Sequence, residues 1–587
     1  MLICVPAIGE TWYVRPDGGT RSRKDVPGQC DGKADVAYRG SGIDQHCAFN
    51  DFRYLYNDKS YNGIAGGWII AGGDTVIVRG CHDPNGGSST DCRIGSDPPG
   101  VADKWCVGNA IVACSSGPIP SGTAAQHTRI LGQNYKTCSA DNITNRSKLT
   151  RLFGGNGLGT AINLQSTRYV DFECIDLSDH SECVEHGSPA YPGPCTGKED
   201  FAKDGMATNN RSADILLEDV WIHGFTRTGI TGPIGGLITL RRVNISFNGF
   251  AGWNFDDGGS TPDAPGSAID ASYVSMIGNG CNEEYPIVDA FPARSCYDLN
   301  DGGFGDSWSG QNTALASFTC DHCVMAYNTK DGFIGPHTLI SKLIIRNSQS
   351  YGNMGQQWKW GSEKSSSTIF ENNLTIGNCR RMSAPLPGAP SGYNRNLSLY
   401  CRADGDIFSF FSSSNSTVLF SNDTTIGYSA TMFDLACATE GTCGSTKFIF
   451  RNDIMLGLLN PSYNPGNAQV PGLFYYSDTS DTVTADHNIY YNLRSGTVPG
   501  GTLCRMLGSV TSIACVNPLF VNQPALTIKA EAELDGFNFH PAGGSPAIGH
   551  GSAESGVTTD FYGVTRPNPP SIGAVEPAPD QGVEKKK

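Results

Sequence analysis

A chain of 587 residues with 73 glycines and 33 prolines is too long for one compact core, since single cores stop growing near ~250–300 residues. It must be several domains or a repeat architecture. The formal charge of −15 and a pI near 5.2 argue against nucleic acid as the main partner, because phosphate binding needs a basic surface.

In chain order, "MLICVPAIGETWY" opens with a short apolar run and Ala7-Ile8-Gly9, without a basic stretch before it. Residues 1–9 read as the remnant of a signal peptide. Residues 10–124 read as an N-terminal β-rich cap region. "TWYVRPDGGT" there is an alternating strand running into a Gly-Gly turn, and "AGGDTVIVRG" is a turn followed by a second strand. No stretch is apolar for long enough to span a membrane.

The 21 cysteines mostly have a near neighbour: Cys30/Cys47, Cys81/Cys92, Cys106/Cys114, Cys183/Cys195, Cys281/Cys296, Cys379/Cys401, Cys437/Cys443 and Cys504/Cys515. Local pairs closing small loops suit disulfides in an oxidising compartment, so a secreted or cell-surface protein is expected. Cys320-x-x-Cys323 is the one zinc-like spacing, but no second close pair follows at finger distance.

From about residue 125 the chain repeats one form. "ADILLEDVWIHGF", "GLITLRRVNISFNG", "SKLIIRNSQSYGN", "STIFENNLTIGN" and "TKFIFRNDIMLG" each give a strand, a polar residue, a second short strand and a Gly or Asn. Asn328, Asn353 and Asn378 fall at steps of 25, as do Asn347 and Asn372, and Asn422 follows 50 later. Asn248 and Asn279 give looser steps. A fixed period of short strands and turns signals a solenoid. The segments alternate at period two, which excludes a helical solenoid. The expected fold is all-β, a right-handed parallel β-helix of about 25 residues per coil over 125–524. The asparagines then form ladders at the bends. Residues 525–575, rich in Gly and Pro, are expected to cap the stack, and 576–587 to be a polar tail.

The segments "NTKDGF" at 328–333 and "GQQWKWG" at 355–361 resemble polysaccharide lyase family 9, the pectate lyases. "TWYVRPDGGT" and the "SPAIGHG…DFYGVTRP…IGAVE" ending resemble secreted β-helix proteins of that wider group. The resemblance implies β-elimination on a uronic-acid-containing polymer, with Lys359 as the base and Asp331 in a Ca²⁺-holding aspartate cluster. Two positions of that cluster are occupied here by Lys330 and Ile334, so the Ca²⁺ set is incomplete. Asp306 lies 25 residues before Asp331, one coil away, and stacking would bring the two carboxylates ~4.8 Å apart. Like charges that close need a cation or a shared proton. Asp301 is a further candidate ligand, as are Asp256 and Asp257.

A lysine base must be uncharged, and a free lysine titrates near ~10.4. Neighbouring cations or burial lower that value. Lys330, Arg380 and Arg381 are the candidate cations, the arginines also suiting a bidentate grip on a uronate carboxylate. His337 is a candidate proton donor. Trp358 and Trp360 are expected to point inward, leaving Lys359 outside.

Two rival functions follow from the same residues. A β-helix polygalacturonase would need paired aspartates beside Gly-His-Gly. Here Asp256-Asp257 and "GHG" at 549–551 stand about 290 residues apart, in the wrong order. A non-catalytic glycan-binding protein, adhesin or surface fibre stays open, since the fold serves both kinds of role.

Overall fold

The computed structural model describes residues 9–21, 27–57, 67–80, 92–94, 118–138, 148–154, 158–179, 202–255, 265–280, 305–310, 314–333, 339–377, 406–412, 415–429, 431–437, 445–459, 470–476, 481–494, 515–528, 531–534, 536–553 and 556–578. Among them helix is confined to two four-residue 3₁₀ turns, Phe52–Leu55 and Glu531–Leu534. Nearly every strand pairs in parallel with the strand one coil away. The chain is an all-β parallel β-helix, as the period-two texture requires. It divides into two compact units: residues 1–299 with 303–305 and 386–395, and the remainder.

In the first unit one ladder climbs through Thr11–Gly19, Thr75–Val78, Thr128–Gly132, Arg168–Asp179, Ala213–His223, Leu237–Ser246 and Ala268–Ser272. Each is in parallel register with the next. Among the described residues, parallel pairing is present from Thr11 onward, on both sides of residue 125. A second ladder joins Leu158–Asn163, Ala202–Ala207, Thr228–Thr231 and Ala251–Asn254. Asn248 donates through Nδ2 to Asn279 Oδ1 at 3.0 Å, so the looser 31-residue step is also a rung.

The second unit stacks Ser317–Asp321, Leu339–Arg346, Trp358–Glu371, Thr417–Ser421, Lys447–Arg451 and Thr482–Asp486. The inward residues of these strands make an aromatic stack: Trp360 packs on Phe370 and Phe410, and Phe420 stacks on Phe370 and Phe450. The step between equivalent residues is 25, then 50, then 30, then 35. The constant 25-residue period therefore holds only for the first coils of this unit.

The expected asparagine ladders divide into two kinds. His322, Asn347, Asn372, Asn422, Asn452 and His487 all have positive φ, between 51° and 60°. They occupy one turn position on successive coils, and asparagine tolerates that backbone better than most residues. Asn372 Nδ2 donates to Asn347 Oδ1 at 3.3 Å. Asn328 and Asn353 are instead interior. Asn328 gives both its backbone N–H and its Nδ2 to Asn353 Oδ1, at 2.9 and 2.8 Å. Asn378 lies outside the described residues, and Gln357 Oε1 accepts the next bond from Asn353 Nδ2.

A third column was not foreseen. The backbone N–H of each member donates to the side chain one coil on: Ser348 to Asn373, Asn373 to Asp423, Asp423 to Asp453, and Asp453 to Asn488. All five residues are buried. Burial pushes the Asp423 carboxyl up to about 8 and raises Asp453 in the same direction, Asp423's charge adding to the second effect.

Residues 545–578 lie along the flank of this unit. Ile572, Ala574 and Val575 join a core with Leu374, Ile426, Ile454 and Leu456. Buried Arg566 donates to Asn372 Oδ1 at 2.7 Å and to Glu576 Oε1 at 2.8 Å, and Asn452 Nδ2 donates to Ser552 O. The segment thus satisfies the outward faces of the positive-φ asparagines.

Cys30–Cys47 is bridged, as its spacing implies, and so is Cys320–Cys323, which removes the zinc reading. Cys138–Cys174, 36 residues apart, is a bridge that near-neighbour pairing misses. Cys515 is also disulfide-bonded. The other expected pairs involve residues outside the described set.

Candidate functional site

The site is built on three consecutive turns of the second unit. Trp358 and Trp360 begin the strand Trp358–Glu371 and are buried to 0% and 1% exposure. Trp358 Nε1 donates to Thr375 Oγ1 at 2.9 Å inside the stack. Alternation then turns Lys359 outward. Its backbone N–H donates to Phe333 O, which fixes this strand one coil beyond the "NTKDGF" turn.

The two aspartates stack as the 25-residue offset implies. Asp306 Oδ1 accepts the Asp331 N–H at 3.0 Å, and Asp331 Oδ1 accepts the Gln356 N–H at 2.7 Å. Each carboxylate therefore spends one oxygen on the backbone of the next coil. The Oδ2 atoms of both are buried and make no hydrogen bond. Lys359 Nζ stands 3.5 Å from Asp331 Oδ2, with 14% of the lysine side chain exposed against 1% of the aspartate's. Lys330 is buried to 8% exposure. Burial lifts the Asp306 carboxyl to about 6; Lys330 pulls it down, Asp331 pushes it up, and Lys359 pulls it down least.

Gly355 makes room for this arrangement. A Cβ there would collide with Asp331 Oδ1, so any side chain would drive the carboxylate out of its turn. The "GQQWKWG" stretch thus does two things: its glycine admits Asp331, and its lysine neutralises it.

Beyond Lys359 the parallel register continues through Ser409, Asp434 and Tyr475 on successive coils. Sequence reasoning missed these positions, because the step from Lys359 to Ser409 is 50 residues rather than 25. Asp301, His337, Arg380, Arg381, Asp256 and Asp257 lie outside the described residues.

Calcium takes 6–8 oxygen ligands. The described residues offer two carboxylate oxygens, Asp306 Oδ2 and Asp331 Oδ2, and no group of three or more His, Cys, Asp or Glu that could hold a metal. The Lys359 ammonium already stands 3.5 Å from Asp331 Oδ2, and buried Lys330 is next to Asp331 in the chain. Among the described residues this donor set falls short of the oxygens that Ca²⁺ takes.

The fold and site define a parallel β-helix carrying a buried Asp-Asp-Lys-Lys cluster that opens at Lys359. No known family's sequence model matches the chain, and no curated protein does. Among solved structures, a crystal structure of the pectate lyase Pel9A is similar over 97% of this chain and 97% of its own, at 12% identity and a TM-score of 0.39. A rhamnogalacturonan lyase is similar over 95% and 99%, at 11% identity and a TM-score of 0.36.

Proposed function

We propose that this is a secreted, carbohydrate-active β-helix protein, pectate lyase-like, that cleaves a uronic-acid-containing polymer by β-elimination. The observation that carries the reading is Lys359 itself. It is the exposed end of an otherwise buried charge cluster, held between two core tryptophans and one coil from Asp331. Elimination removes the C5 proton of a uronate, α to its carboxylate, and expels the O4 substituent. Lys359 takes that proton as a neutral amine. Substrate binding must first draw it away from Asp331. Lys330 leaves positive charge near the carboxylate pair, and Arg380 and Arg381 are proposed to grip uronate carboxylates. His337 is the proposed donor to the leaving oxygen.

Export agrees with three bridged cysteine pairs, and no helix among the described residues is long and apolar enough to cross a membrane. An acidic polysaccharide remains the proposed partner, and nucleic acid is not, on the charge argument.

The 3.5 Å pairing with Asp331 also favours a second reading, in which the lysine charge is used only to neutralise a buried carboxylate. The protein would then bind glycans, or act as an adhesin or surface fibre, without cleaving. A panel of uronic-acid polymers separates the two. Unsaturated products absorbing in the ultraviolet, lost in Lys359→Ala, support elimination. Glycan retention without products supports binding.

A further inference from the structure

We infer that Lys330 is a built-in counter-cation, taking the place beside the Asp306–Asp331 pair that a divalent ion would otherwise fill. The inference concerns the same site as the elimination reading, but its test reads ion binding, so either can fail alone.

The geometry leaves the pair one requirement. Both Oδ1 atoms are consumed by backbone N–H groups of the following coil. Both Oδ2 atoms are buried without a hydrogen bond. Two stacked carboxylates in that setting must be met by positive charge or by a proton. Lys359 answers Asp331 at 3.5 Å. Lys330, adjacent to Asp331 in the chain and almost wholly buried, is the stronger of the two positive influences on Asp306. With Lys359 at 3.5 Å from Asp331 and Lys330 buried next to it in the chain, an added divalent ion would enter a site that already has its positive charge. A covalently supplied ammonium cannot be chelated or diluted away, so the turn keeps its shape whatever the ionic composition outside.

This predicts a specific conversion. Lys330→Asp removes the internal cation and adds a carboxylate, so the site should acquire an affinity for calcium that the natural chain lacks. The experiment uses the full chain and CaCl₂, with calorimetry for binding and thermal unfolding for stability. For the wild type, millimolar calcium should leave the unfolding midpoint within a degree of its value in chelator. Lys330→Asp should unfold several degrees lower in chelator, regain most of that loss in calcium, and bind the ion at least tenfold tighter. Adding Asp306→Asn to that variant should abolish the regain. Lys330→Gln, which only removes the charge, serves if the aspartate variant does not fold, and should show a smaller gain of the same sign. Calcium stabilisation of the wild type that disappears in Asp306→Asn would overturn the inference. So would variants at position 330 that fold and show no calcium response.

Discussion

Asp453→Asn should make the protein more stable at neutral pH, although it removes a side chain deep in a hydrogen-bonded column. Asp453 Oδ1 accepts the Asp423 N–H at 2.8 Å, and an asparagine oxygen can do the same. Its Oδ2 is buried and accepts no hydrogen bond of ordinary geometry, so the amide nitrogen displaces only the weaker approach of the Arg451 N–H. Asn373 and Asn488 hold equivalent rungs of the same column already. The sign follows from proton linkage. Burial raises the folded carboxyl well above its ordinary 3.8, so the folded chain holds a proton that the unfolded chain releases. Stability is unaffected below pH ~3.8, falls as pH rises, and stops falling only above the folded value. The loss grows for every pH unit above ~3.8 over which the folded carboxyl keeps its proton. Each such unit costs ~1.4 kcal/mol. A buried amide N–H₂ without an acceptor costs about 1 kcal/mol back. The expected result is a net gain of at least ~1 kcal/mol at pH 7 that shrinks as pH falls and vanishes near pH 4. Urea unfolding followed by tryptophan fluorescence at pH 4, 5.5 and 7 measures it. A variant no more stable than wild type at pH 7, or shifted equally at every pH, would show that the carboxyl is not held protonated.

Three further outcomes follow from the charge cluster and the flank segment. Lys359→Ala should abolish elimination, and Lys359→Arg should not restore it, because arginine does not give up its proton; product absorbance reads both. The alanine variant should also lose about 1–3 kcal/mol of stability, since it strands the buried Asp331 carboxylate. Gly355→Ala should cost about 1–3 kcal/mol by overpacking against Asp331 and should reduce activity with it, which denaturation and the product assay test together. Arg566→Met should cost about 3–5 kcal/mol, leaving Glu576 uncompensated. Limited proteolysis should then cut within 545–578 first, while the coils stay intact.

The coil stack was legible in the sequence because its signal is local and repeated. Period-two strands, a turn asparagine and a 25-residue offset needed no knowledge of distant partners, and Asn347 and Asn372 stack where that offset puts them. The pairing of Asp306 with Asp331 was legible for the same reason. What escaped were features that depend on unequal steps. Asp423 and Asp453 are 30 residues apart and Asp453 and Asn488 are 35, so no fixed period places them in one column with Asn373. Ser409 and Asp434 were lost to the 50-residue step in the same way.

The stability cost of replacing Lys359 depends on the burial of its partner, which the sequence does not reveal. An outward lysine on a strand reads as a surface site, where substitution costs within ~0.5 kcal/mol. Its partner, however, is a carboxylate with only 1% exposure. The energetics of a charge are set by the more buried member of its pair, since that member cannot turn to water when the other is removed. Burial of Asp331 is in turn a consequence of Gly355, which lets one coil settle onto the turn below. One glycine thus determines how deep the aspartate sits, and that depth determines how tightly the lysine is held. Any base chemistry at Lys359 would have to work against this hold, so the proposed elimination requires the Lys359–Asp331 pair to open first.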